Sequence, residues 1–156
     1  MIGVAASTPL IALHALTASI WVGGLVAIFV VSRAATATLE PAQRVALFRS
    51  VGRSYGIVGS AALLVALASG ALLLRGHPWN ATLIAATIIA ALLLLALAAG
   101  MAQARAMTRL RSRALTDPGG ALDPEVRRGA VRATALRGAI ALLTLILAVL
   151  GASLAS

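Results

Sequence analysis

Two imidazoles are the only side chains of this sequence with an ordinary titration near neutral pH, His14 and His77. An imidazole can move a proton, bind a transition metal or hold one axial face of a haem iron. His14 lies in "LHALTASIWVGG", residues 13–24, inside an otherwise apolar run. Ionisable residues inside a membrane span are rare, and the default reading of one is functional. On a helix, His14, Thr17, Ala18, Trp21, Gly24 and Ile28 share one face, while Leu16, Ile20 and Val22 lie opposite. A mixed polar, small and aromatic stripe predicts a face turned toward other helices. The competing reading is plainer: a neutral ring hydrogen-bonds to Thr17 or to a facing carbonyl and simply packs.

The possible helpers are few. At about 1.5 Å per residue, His14 sits roughly 9 Å below the nearer end of its span. His77 falls in the link "RGHPWN" and, by the topology below, on the same side. Met1 is also on that side, and its thioether is a soft ligand suited to Cu(I). His14, His77 and Met1 are therefore the candidate metal ligands. Against this, His77 also reads as a solvated loop residue, and Trp79 as an interfacial anchor. Arg75 fits either an anionic group, such as a haem propionate, or a long side chain reaching out of the span end.

Several chemistries are excluded. There is no cysteine, so disulfides, thiolate zinc sites and iron–sulfur clusters are absent. No carboxylate lies in a span, and all four acids fall on the side opposite both histidines, so a Ser–His–Asp arrangement is not available. No phosphate-binding glycine loop occurs. The net charge of +9 would suggest nucleic acid in a soluble protein, but the arginines flank apolar blocks and form no separate basic domain. Aromatics make up 3% of the chain, too few to form a stacking platform for bases.

The elements that must carry these residues follow from the composition. The chain is 61% hydrophobic and 11% charged, with mean hydropathy +1.02, far from the balance of a soluble domain. Four blocks reach the roughly 20 residues needed to cross a hydrocarbon core, at about 8–32, 54–74, 81–103 and 133–155. They are continuous and rich in Ala and Leu, without the alternation of a transmembrane strand. The first block lacks the basic start of a signal peptide and reads as a retained span. The prediction is an all-α polytopic protein, an antiparallel four-helix transmembrane bundle in one domain, 1–156.

Twelve of the thirteen arginines fall in the first and third connections or at the start of the last span. The positive-inside rule makes that side cytoplasmic, with both termini and the 75–80 link extracytoplasmic in a bacterial inner membrane. Pro41 and the pair Asp123–Pro124 suit helix starts, so the cytoplasmic connections are expected to be partly helical and the third and fourth spans to continue as helices beyond the bilayer, with "TDPGG" at 116–120 as a turn. Gly52, Gly56 and Ser60, spaced by four, and the Gly23–Gly24 pair predict close helix approaches. The third span carries no ionisable group and is expected to pack or to face lipid. Met101 and Met107 lie at the opposite membrane face from His14 and read as packing residues.

With its histidine and the following Trp-x-Gly-Gly (His14, Trp21, Gly23 and Gly24), the first span resembles the copper-resistance protein D-like membrane domain. The resemblance continues through Arg49, Arg53 and Gly70 in "ALFRSVGRSYGIVGSAALLVALASGALLL". Over nearly the whole chain the sequence is also similar to short four-span bacterial membrane proteins of unassigned function. The resemblance implies copper handling, or haem-associated redox chemistry, centred on His14. With haem b as the group, His14, Trp21 and Arg75 are the expected contacts. The alternative is an accessory subunit of a membrane complex, or a homo-oligomer, with no cofactor. An enzyme acting on a porphyrin through bound haem ranks third.

Overall fold

A computed structural model describes residues 3–114 and 123–155. Four helices account for nearly all of them: α1 (Gly3–Thr38), α2 (Pro41–Leu73), α3 (Ala81–Ala114) and α4 (Asp123–Ala155). No strand occurs among the described residues. Each helix contains a stretch long and apolar enough to cross a bilayer: Thr8–Thr38, Ala46–Leu73, Ala81–Leu110 and Arg127–Leu154. The protein is thus an all-helical chain with four candidate membrane spans.

The helices are longer than the apolar blocks. They contain 36, 33, 34 and 33 residues, or about 50 Å each at 1.5 Å per residue. A hydrocarbon core is about 30 Å thick. Helix α1 extends past its apolar block at both ends, and in α2, α3 and α4 the excess lies at the arginine-bearing end. There the expected first connection shrinks to Leu39 and Glu40, and Arg33, Arg44, Arg49 and Arg53 are all helical. Arginine is a good helix former, so a charged segment need not be a loop. Pro41 takes the first helical position of α2, where a missing N–H costs nothing, and Glu40 before it is extended at φ −61°, ψ 151°. The 116–120 turn lies outside the described residues.

The opposite end of α2 closes with N–H groups of Leu74, Arg75 and His77 donating to the carbonyls of Gly70, Leu72 and Leu74. Gly76 there has φ 92°, a backbone that L side chains rarely adopt. Asn80 caps α3, its side-chain oxygen accepting the Leu83 N–H at 2.8 Å.

The chain forms two compact units, Met1–Pro78 and Trp79–Ser156. In the first, α1 and α2 pack as an antiparallel hairpin, with His14 beside Gly70 at one level and Gly24 beside Tyr55 at another. Its buried seam is made of Thr17, Trp21, Ala35, Ala62, Leu63, Ala66 and Ser69. In the second, α3 and α4 pair around Leu83, Ala86, Leu93 and Thr144, with Leu93 fully buried. The third span is therefore a packing element. Met107 and the amide of Gln103 both meet Gly129, the amide donating to its carbonyl at 2.9 Å. Met101 is exposed.

Each hairpin buries a single stripe. Leu16, Phe29, Ile57, Leu95 and Leu145 are left outward and apolar. Side chains of this kind suit a hydrocarbon solvent, and they place the chain in contact with lipid.

Candidate functional site

The expected α1 stripe is the buried one. Thr17 and Trp21 are buried, His14, Ala18, Gly24 and Ile28 are partly buried, and Leu16, Ile20 and Val22 are exposed. Helical periodicity alone therefore turns the His14 ring toward α2.

What it meets there is small. The ring lies over Gly70, where an added Cβ would stand 3.1 Å from Cε1 and 3.4 Å from Nδ1. Nδ1 lies 2.9 Å from the Ala66 carbonyl oxygen and 3.2 Å from Ser69 Oγ. A carbonyl can only accept, so Nδ1 carries the proton and donates. Ser69 in turn donates to the carbonyls of Val65 and Ala66, at 2.7 and 3.0 Å, which leaves its oxygen lone pairs available to His14. Thr17 is not the partner of the ring. Its hydroxyl donates back to the Leu13 and His14 carbonyls of its own helix, at 2.8 and 3.2 Å.

This arrangement fixes the tautomer. With Nδ1–H committed to α2, the neutral ring carries its lone pair on Nε2, which takes no hydrogen bond among the described residues. Among the described residues no buried side-chain nitrogen or oxygen lacks a partner, so this free Nε2 is not sealed inside the seam. A histidine whose far nitrogen is anchored on a backbone carbonyl has the form that metal-binding histidines commonly take.

A second polar tie runs the other way. Tyr55 of α2 donates its hydroxyl to the Trp21 carbonyl of α1 at 2.6 Å. Its ring stacks on Trp21, with centroids 6.2 Å apart and planes 19° from parallel. The same ring covers Gly24 across the seam and Gly59 on its own helix, and a Cβ at either would collide with it. Each helix of the hairpin thus lends one side chain to a carbonyl of the other. The close approaches between the two helices fall at Gly24 and Gly70. A Cβ at Gly23, Gly52 or Gly56 would meet nothing within 4 Å, so of the expected glycines only Gly24 packs these two helices together.

The other candidates are more scattered. His77 and Arg75 are exposed in the link after α2, at the end of the hairpin that His14 occupies. Trp21 is given over to the seam, 5% exposed. Met1 lies outside the described residues. Trp79 is exposed, as an interfacial anchor would be. No group of three or more His, Cys, Asp or Glu side chains gathers among the described residues. Shallow open grooves of about 370 Å³ at Ser32, Arg33, Thr36 and Ala37, and about 310 Å³ at Arg127, Arg128, Val131 and Arg132, each lie along a single helix. Neither borders His14.

Tyr55 and Ser69 were not singled out by the sequence reading. The signal for Tyr55 was its being the one tyrosine of the chain, set against glycine in "YG". Ser69 gave no signal of its own. No family model matches the chain, and neither the curated proteins nor the solved structures contain a match to it.

Proposed function

We propose that the protein is a multi-pass membrane protein that handles copper as its cargo, with Nε2 of His14 as the first protein ligand. The observation that carries this reading is the donation of Nδ1–H to the Ala66 carbonyl, which leaves Nε2 with a lone pair and a fixed direction. Imidazole and thioether donors suit Cu(I). His77, on the link at the same end of the hairpin, is the second donor in this scheme, and Met1 a third. The resemblance of the first span to the copper-resistance D-like domain points to the same metal. By the positive-inside rule the arginine-bearing helix ends face the cytoplasm of a bacterial inner membrane, and His14 then lies toward the outer leaflet.

Haem b fits less well. His14 could serve one axial position and Arg75 a propionate, but neither hairpin by itself builds a slot for the macrocycle among the described residues. A haem-dependent enzyme ranks behind for the same reason. The other reading with specific support is the accessory subunit without a cofactor. Two hydrogen bonds and the close fit on Gly70 make His14 a sufficient staple between helices.

One pair of substitutions separates the staple from the ligand. In His14→Asn the amide nitrogen stands where Nδ1 does, so the bond to Ala66 is kept while Nε2 is lost. His14→Ala removes both. The copper reading expects one copper per chain in the purified wild type, by elemental analysis, and its loss in both variants. The accessory reading expects no copper in any of them, a lower unfolding temperature in His14→Ala, and recovery of that temperature in His14→Asn. An intense band at the blue edge of the visible spectrum in the wild type would overturn both in favour of haem.

A further inference from the structure

The arginines of α4 are not evenly spread. Arg127 and Val131, and Arg128 and Arg132, are four residues apart, and Arg128 and Val131 three apart, so the arginines flank Val131 across one broad side of the helix. They line the open groove of about 310 Å³, and all four are exposed. Three guanidinium groups thus surround one aliphatic side chain, and Val131 is 66% exposed.

Like charges at this spacing repel and weaken the helix that carries them. Glu125 is exposed one turn earlier, and no ion pair or hydrogen bond joins it to any of the three arginines. The other groove, at Ser32, Arg33, Thr36 and Ala37, holds a single arginine. The α4 face is therefore a concentration of exposed positive charge beside an exposed apolar side chain.

Its depth identifies the counter-anion. The apolar block of α4 begins near position 133, where the arginine-free run starts but for Arg137. The groove lies directly before that edge and ends within about two turns of it. This is the layer where lipid phosphates lie, and long arginine side chains reach along the helix into it. Guanidinium forks bind phosphate oxygens bidentately. Val131 would cover the start of the acyl chains.

We propose that the α4 face formed by Arg127, Arg128, Val131 and Arg132 binds the headgroup of an anionic phospholipid. The occupant is a lipid, not a soluble anion, because the site combines phosphate-binding forks with an exposed valine beside the hydrocarbon edge. It is independent of the reading of His14.

The test uses the full chain, purified in mild detergent and examined by native mass spectrometry with added phosphatidylglycerol or phosphatidylcholine. The wild type is expected to retain phosphatidylglycerol and not phosphatidylcholine. The triple variant Arg127→Gln, Arg128→Gln, Arg132→Gln should retain it on the order of 100-fold less, each arginine near a membrane surface contributing about fivefold. Helicity by circular dichroism confirms that the variant is folded. A control variant, Arg33→Gln, Arg44→Gln, Arg49→Gln, removes the same charge elsewhere and should retain the lipid. Equal loss in the control would show an effect of net charge and overturn the site. So would unchanged retention in the triple variant. Displacement of the lipid by millimolar inorganic phosphate would reduce the groove to a general anion site. Binding of polyglutamate in place of lipid would assign it to an acidic partner.

Discussion

At the residue scale, the α1–α2 hairpin depends on a few polar and glycine contacts, each of which can be tested alone. Tyr55→Phe keeps the ring stacked on Trp21 and removes only the 2.6 Å bond to its carbonyl. We expect a loss of about 0.5–1.5 kcal/mol, measured by unfolding in detergent, because side-chain hydrogen bonds in membranes are worth little more than in water. Gly24→Ala puts a methyl into the space of the Tyr55 ring. Overpacking of that kind costs about 1–3 kcal/mol, so Gly24→Ala should be the more damaging change, while Gly23→Ala, with open space around it, should be silent. Equal effects at the two glycines would contradict the packing described. The His14 stripe was legible in the sequence because the period of a helix fixes which residues share a face. The partners were not. Ala66, Ser69 and Tyr55 depend on the register between two helices, and one sequence holds no statement of register.

At the scale of the element, the existence and kind of all four helices were legible, and so were the starts of α2 at Pro41 and of α4 at Asp123. Apolar runs mark the part of a helix that lies in lipid, whereas hydrogen bonding continues into the arginine-rich segments where hydropathy falls. The apolar block ending near position 32 therefore does not show that α1 runs to Thr38. Asn80 was readable as a cap, standing as it does directly before an apolar run. Gly52 and Gly56 show the converse error. Their spacing is that of a packing motif, but it does not say which helix is packed, and α1 is not the one. In the second hairpin, Gly129 receives both Met107 and the Gln103 amide. Gly129→Leu should displace both and lower the unfolding temperature of the full chain more than Gln103→Leu, which loses only one hydrogen bond. The reverse order would mean that the amide and not the close contact joins α3 to α4.

At the scale of the whole molecule, the four spans make a topological claim that the chain itself makes easy to test. It has no cysteine, so single cysteines can be introduced without background. We expect His77→Cys to react with an impermeant maleimide on intact cells and Glu40→Cys to react only after the membrane is opened, as the positive-inside rule requires. Reaction of both on intact cells would refute a spanning hairpin. Function was the least legible property, for a physical reason. A metal site is a set of donors in space, and here the sequence spreads His14, His77 and Met1 over 77 positions with one of them anchored in a span. Only the state of the His14 ring, with one nitrogen tied and the other left over, emerged from the geometry.

The connection made by Leu39 and Glu40 has one more consequence. Two residues leave little slack once both helices have formed, so we expect α1 and α2 to enter the bilayer as a doubled-back unit. Lengthening that turn with a flexible glycine–serine insert should uncouple the two insertions, and half-inserted chains sensitive to protease should accumulate during synthesis.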